Sequence, residues 1–208
     1  MRKLALIIAV LLSFISSFAQ LRVAIVAGGH QSTVKENNNL PNWNDIKGFY
    51  SGRAGFHGGF IADIPLSLKS KLYFQPGVIF QTKGRKFSQT FDTTSTITQQ
   101  KATQFVNYVD IPLNLVLKFG NKTKFIIGGG PYAGFFYTGK ETFQTFTRTG
   151  LQQSIENEDL PVGKGDDQYR TFNFGANALA GVEFGRVFLT ANYSVGLNDF
   201  YQTAAYEG

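Results

Sequence analysis

The stretch Phe105-Val106-Asn107-Tyr108-Val109-Asp110-Ile111-Pro112-Leu113-Asn114-Leu115-Val116-Leu117-Lys118-Phe119 decides the fold. Its odd positions are Phe105, Asn107, Val109, Ile111, Leu113, Leu115, Leu117 and Phe119, and its even positions include Tyr108, Asp110, Asn114 and Lys118. Side chains on a strand alternate between faces, so one face is mainly apolar and the other mostly polar. Strands of about fifteen residues are rare in water-soluble domains.

The same period of two recurs along the chain. Leu21, Val23, Ile25 and Ala27 open it, and Ala54, Phe56, Phe60, Ala62, Ile64 and Leu66 continue it. Further apolar faces fall on Phe74, Val78 and Phe80, and on Phe125, Ile127, Ala133, Phe135 and Tyr137. Two more run over Phe172, Phe174, Ala176, Ala178, Val182 and Phe184, and over Val187, Leu189, Ala191, Tyr193, Val195 and Leu197. With 105–119, the pattern predicts seven strands. Connections after the second, fourth and sixth are short (Ser67–Lys71, Gly120–Thr123, Gly185–Arg186), whereas 31–52, 85–103 and 140–168 are long and polar. Strict short–long alternation is the mark of an up-and-down antiparallel transmembrane β-barrel with tight periplasmic turns and extended outer loops. Aromatic placement agrees. Phe74, Phe119, Phe125 and Phe184 lie beside the short turns, Phe56, Phe80, Phe105, Tyr137 and Phe172 toward the long loops, and aliphatic residues between, as two interfacial girdles require.

Composition excludes other classes. Among 208 residues, 43% are hydrophobic, 15% aromatic and 16% charged, which is too apolar for a disordered chain. Beyond the N-terminus, no apolar run is long enough for a spanning helix. The absence of cysteine removes disulfides, thiolate metal sites and cysteine nucleophiles. Arg2 and Lys3, the apolar run Leu4–Phe14 and the small-residue end Ser16-Ser17-Phe18-Ala19 read as a secretory signal peptide over 1–19, leaving 20–208 as the barrel domain. Its removal lowers the 20 basic residues to 18, against 14 acidic, and these are scattered, unlike a nucleic-acid footprint.

Two repeated elements, Asp63-Ile64-Pro65-Leu66 and Asp110-Ile111-Pro112-Leu113, stand with Gly129-Gly130-Pro131-Tyr132 and Asn192-Tyr193-Ser194-Val195-Gly196-Leu197. Over about 20–201 the chain resembles the PorT-like outer-membrane β-barrel family of Bacteroidota. The resemblance implies an outer-membrane barrel, one branch of the family being tied to type IX secretion, and supplies no catalytic residues. Such a barrel is of the eight-stranded type, so a closing strand of about 9 to 11 residues is expected to pair with both the first and the seventh, with Asn198–Gly208 beginning a fourth outer loop.

Inward positions collect Asp63, Asp110 and Glu183 with Arg53, Lys83, Arg170 and His57. Ionisable residues at membrane depth mark functional sites, but both signs are present here, and the expectation is a paired polar network filling a narrow lumen without an open pore. Inward Gly128, Gly130 and Gly134 are expected to bend the strand or give room to neighbours such as Tyr132. His57, Asp63 and Ser194 share a face, yet the period shows no hydrogen-bond reach among them, so no enzyme is expected. Glu141, Glu156, Glu158, Asp159, Asp166 and Asp167 make the third long loop acidic without the spacing of an EF-hand, and no metal or cofactor is read from it. Gly163-Lys164-Gly165 and Gly128-Gly129-Gly130 lack the setting of phosphate loops. Lys69, Lys71, Lys118, Lys122, Lys124 and Arg186 flank the short turns and suit lipid headgroups or plain solvation. The expected protein is a monomeric outer-membrane barrel without chemistry of its own, partnered by outer-membrane lipids and a secretion or envelope component. The rival reading is a soluble exported barrel of lipocalin type holding an apolar ligand, because periodicity does not say which face turns inward.

Overall fold

The computed structural model describes residues 21–34, 45, 47–67, 71–93, 96–147, 154–163 and 168–198. The signal-peptide assignment at 1–19, most of the first outer loop and Asp166 and Asp167 lie outside them. The described residues form ten strands: β1 (Arg22–Ser32), β2 (Tyr50–Pro65), β3 (Leu72–Thr93), β4 (Thr96–Phe119), β5 (Thr123–Thr147), β6 (Ser154–Asp159), β7 (Val162–Gly163), β8 (Tyr169–Arg170), β9 (Phe172–Phe184) and β10 (Val187–Gly196). The long strands pair antiparallel in the order β1-β2-β3-β4-β5-β9-β10, an up-and-down sheet curved into a half-barrel, with β6 added to β5. The seven expected strands are therefore present in the expected succession. Among the described residues no ladder joins β1 to β10. Asn198 still belongs to the sheet's margin, its side chain accepting from the Phe174 amide at 2.9 Å and donating to the Phe172 carbonyl at 3.0 Å.

The faces decide the solvent. Ile25 is 79% exposed and Leu189 70%, and Leu113, Leu115, Leu117, Phe125, Ile127 and Phe184 are likewise exposed on the outside. Asp63, Asp110, Asn114, Lys118 and Glu183 are buried inside. An apolar outer band over a polar interior is the arrangement a lipid solvent demands, and it overturns the lipocalin-type alternative, which needs the reverse. Gly120 and Gly185 sit at positive φ in two of the tight turns, where other residues are strained. Gly128 and Gly130 serve curvature: a Cβ at Gly130 would meet the Leu113 carbonyl oxygen at 2.1 Å, and one at Gly128 the Leu115 oxygen at 2.5 Å. Room for Tyr132 comes instead from Gly175 on β9, directly opposite it, where a Cβ would meet the phenol ring at 2.5 Å.

The largest departure from expectation is above the outer girdle. Segments 85–93, 96–103 and 140–147, read as loop, continue β3, β4 and β5, and β6 extends that outer sheet. Thr, Phe and Gln dominate them; Thr and Phe favour strands, while two largely polar faces erase the contrast that period-two reading depends on. Two bulges adjust the alternation. One adds a residue to β2 between Gly52 and His57, and one adds Tyr137 to β5 opposite Asn107/Tyr108.

Candidate functional site

The end of the lumen beside the short turns carries a charge cluster drawn from distant strands. Position parity turns Asp63 of β2, Lys118 of β4 and Glu183 of β9 inward, each at the strand end beside a short turn. Lys118 Nζ bonds Asp63 Oδ2 and, at 2.8 Å, Glu183 Oε2, while Gln75 Nε2 donates to Asp63 Oδ1 at 3.3 Å. Arg22 of β1 completes the group with a 2.8 Å bond to Glu183 Oε1, and Lys124 stands 3.8 Å from the same oxygen. The Lys118 ammonium also lies over the Tyr73 and Phe188 rings, at 4.6 and 4.7 Å from their centroids. Such pairing makes burial of these charges tolerable.

Higher in the lumen, Lys83 Nζ and Gln81 Nε2 donate to Asp110 Oδ2 at 2.7 and 2.8 Å. Lys83 lies over the rings of Tyr108 and Tyr132, and the Tyr132 hydroxyl donates to Asn173 at 3.0 Å. Asp110 Oδ1 is buried without a hydrogen-bond partner, over Gly134, where a Cβ would meet it at 2.6 Å. Above this level the third outer connection folds in. Leu160 and Tyr169 pack on Val106 and Tyr108, with Phe136 and Val162 against them, and Gln104 Nε2 donates to the Tyr169 hydroxyl at 2.8 Å. A cavity of about 2630 Å³ remains, lined along its length by residues 22–34 and 186–198.

Of the sequence-derived network, Asp63 and Glu183 form one cluster and Asp110 another, and His57 faces the lumen beside His30. Arg53 does not join them: at the β2 bulge its guanidinium lies 4.0 Å over the ring of Phe105, an outer-girdle aromatic, and donates to the Lys83 carbonyl at 3.1 Å. Arg170 is also separate, because β8 belongs to the infolded connection and pairs with β7. His57, Asp63 and Ser194, which share a face in the sequence, are not brought together: Asp63 is bonded to Lys118 and Ser194 donates to Asn177 at 2.8 Å. Lys118, assigned to the turn surface, is instead the hub of the periplasmic cluster, and its even-numbered place beside Asp110 and Asn114 was the available signal. Arg22 and His30 were missed because β1 was read only through its apolar face.

On the outer sheet, beyond the girdle, Glu141 lies directly across from Glu158. Burial pushes the Glu141 carboxyl up from its ordinary value, and the Glu158 charge adds to this, while Gln104 and Arg85 draw it back. Tyr50, Arg85, Phe87 and Phe143 surround the same spot, with the Arg85 guanidinium 4.6 Å over the Tyr50 ring.

No curated protein and no solved structure matches the chain. The family model for an outer membrane protein beta-barrel domain matches residues 18–202, nearly the whole length. An apolar outer band, a polar lumen, an up-and-down strand order and this match lead to one assignment: the chain belongs to the outer-membrane β-barrel domain family.

Proposed function

We propose that this outer-membrane barrel performs no chemistry of its own and works through the sheet that β3, β4, β5 and β6 raise above the bilayer. The observation that carries the reading is the continuation of three spanning strands beyond the outer girdle, with an added fourth, presenting Phe87, Phe143, Arg85 and Glu141 on one face. The buried ion pairs of Asp63, Lys118 and Glu183 across one end of the lumen support a role other than passive diffusion. The PorT-like character of the Tyr108–Leu115 and Gly129–Tyr132 segments supports a place among secretion or envelope components, with the barrel monomeric in the lipid.

Trimming tests it. Replacing 88–101 by a two-residue Asn-Gly turn removes the β3–β4 hairpin tip while leaving the spanning strands. The trimmed protein should assemble with normal heat-modifiable mobility in the outer membrane and yet fail to restore the envelope-integrity or secretion defect of a strain lacking the gene. Full restoration by the trimmed protein would remove the outer sheet from the function. In planar bilayers the purified wild type should give no stable porin-sized steps; reproducible steps of that size would refute the closed-lumen part.

A further inference from the structure

The two histidines of the chain, His30 and His57, sit side by side on the inner face of the lumen. They belong to neighbouring strands and are diagonal neighbours, His30 opposite Gly55 and His57 opposite Gly28. Each ring lies across the glycine facing it: a Cβ at Gly28 would stand 2.8 Å from His57 Nε2, and one at Gly55 2.8 Å from His30 Nε2. Two bare positions thus let the imidazoles turn toward each other, with Nδ1 to Nδ1 at 3.2 Å. His30 Nε2 lies 2.9 Å from the Thr82 carbonyl oxygen, an atom that only accepts, so Nε2 carries the proton and the Nδ1 lone pair of neutral His30 faces His57.

We infer that His30 and His57 form a binding site for a divalent transition-metal ion of the imidazole-preferring kind, Cu²⁺ or Zn²⁺. Metal–nitrogen bonds of about 2.0 to 2.1 Å to two atoms at this separation subtend about 100 to 106°, near the tetrahedral angle, once the two rings, whose centroids stand 5.4 Å apart with Nδ1 aimed at Nδ1, tilt so that both lone pairs meet at the ion. Anchoring of the distal ring nitrogen by a backbone carbonyl is the support that metal-binding histidines characteristically carry. On binding, the hydrogen shared between the two Nδ1 atoms leaves His57 Nδ1 and its ring is protonated at Nε2 instead, so two neutral imidazoles offer two lone pairs with no net proton change. Among the described residues no cluster of three or more His, Asp and Glu side chains is poised for a metal, so lumen water completes the coordination. The site stands apart from the ion pairs at the periplasmic mouth and does not rest on the function proposed above.

The test uses the full chain without a polyhistidine tag, folded into detergent micelles and stripped with chelator. Titrated with Cu²⁺, it should bind one equivalent, and pulsed electron paramagnetic resonance should show two coordinated imidazoles, which in this chain have only one source. His30→Gln and His57→Gln should each weaken binding at least about tenfold while keeping heat-modifiable mobility. Should a variant fail to fold, the wild type still decides: bound Cu²⁺ or Zn²⁺ should shield both histidines from diethyl pyrocarbonate. Absence of one-equivalent binding, a spectrum with one imidazole or none, or unshielded histidines at saturating metal would overturn the inference.

Discussion

Removing the Lys118 ammonium, as in Lys118→Met, keeps the length of the side chain and deletes the cation that, among the described residues, is buried against both Asp63 and Glu183. The Lys118 side chain is 1% exposed, as is that of Glu183, and Asp63 is at 0%, so water does not replace the lost bonds. Losing one member of a buried ion pair costs about 3 to 5 kcal/mol, because the other charge stays behind. Glu183 keeps Arg22 at 2.8 Å, whereas Asp63 keeps the Gln75 amide at 3.3 Å, so most of the penalty falls on Asp63. Neutralising that carboxylate in Lys118→Met/Asp63→Asn should therefore recover about half or more of the loss, a coupling in the range that contacting residues show. Urea unfolding in lipid vesicles, followed by circular dichroism, measures each variant of the cycle. A single variant within about 0.5 kcal/mol of wild type, or a double variant less stable than Lys118→Met, would refute the view that an uncompensated buried carboxylate is the dominant cost.

Leu113→Arg, placed in lipid, should destabilise by about 2 to 4 kcal/mol in the same assay, whereas Asn114→Ser, in the lumen with one 3.3 Å bond from Asn177, should cost about 1 kcal/mol; equal costs would contradict the assigned faces. Gly130→Ala should cost about 1 to 3 kcal/mol by pushing β5 off the Leu113 carbonyl, seen as a lower urea midpoint. Glu141 is held with a raised pKa, so its contribution to stability is full below the ordinary glutamate range and is lost as pH rises through the raised value. Glu141→Gln should accordingly slow amide exchange over 154–159 at pH 8 by about twofold to fivefold, and a faster exchange would contradict repulsion across β5–β6.

How far the sequence could be read depended on contrast between faces. Where lipid demands one apolar face, as at Leu113, Leu115 and Leu117 against Asn114, Val116 and Lys118, alternation shows the strand and which residues share a face, and the exposure of the leucines shows which face meets lipid. Above the bilayer both faces of β3, β4 and β5 meet water, so Gln89, Gln99 and Gln144 carry no such contrast and the strands read as loop. Asp63, Asp110 and Glu183 were found because parity survives in their strands. Parity failed for Arg53, since the extra residue in β2 between Gly52 and His57 breaks the count on the β3 side, where Arg53 has no ladder partner while it keeps Ser32 on β1. Arg170 was misplaced because two-residue β8 has no period to read. Proximity to a turn obscured Lys118, although its numbering already placed it with Asp110.

The Lys118 cluster also reports on how the sheet is aligned. Arg22 comes from β1, Asp63 from β2, Lys118 from β4 and Glu183 from β9, so only a correctly staggered set of ladders brings the four together. A one-residue slip in any of these strands would send its ionised group to the hydrocarbon side and an aliphatic one into the lumen. The five ladders that run from β1 to β9 are thereby checked at a single point, since a slip in any one of them leaves a charge of this cluster without its partner.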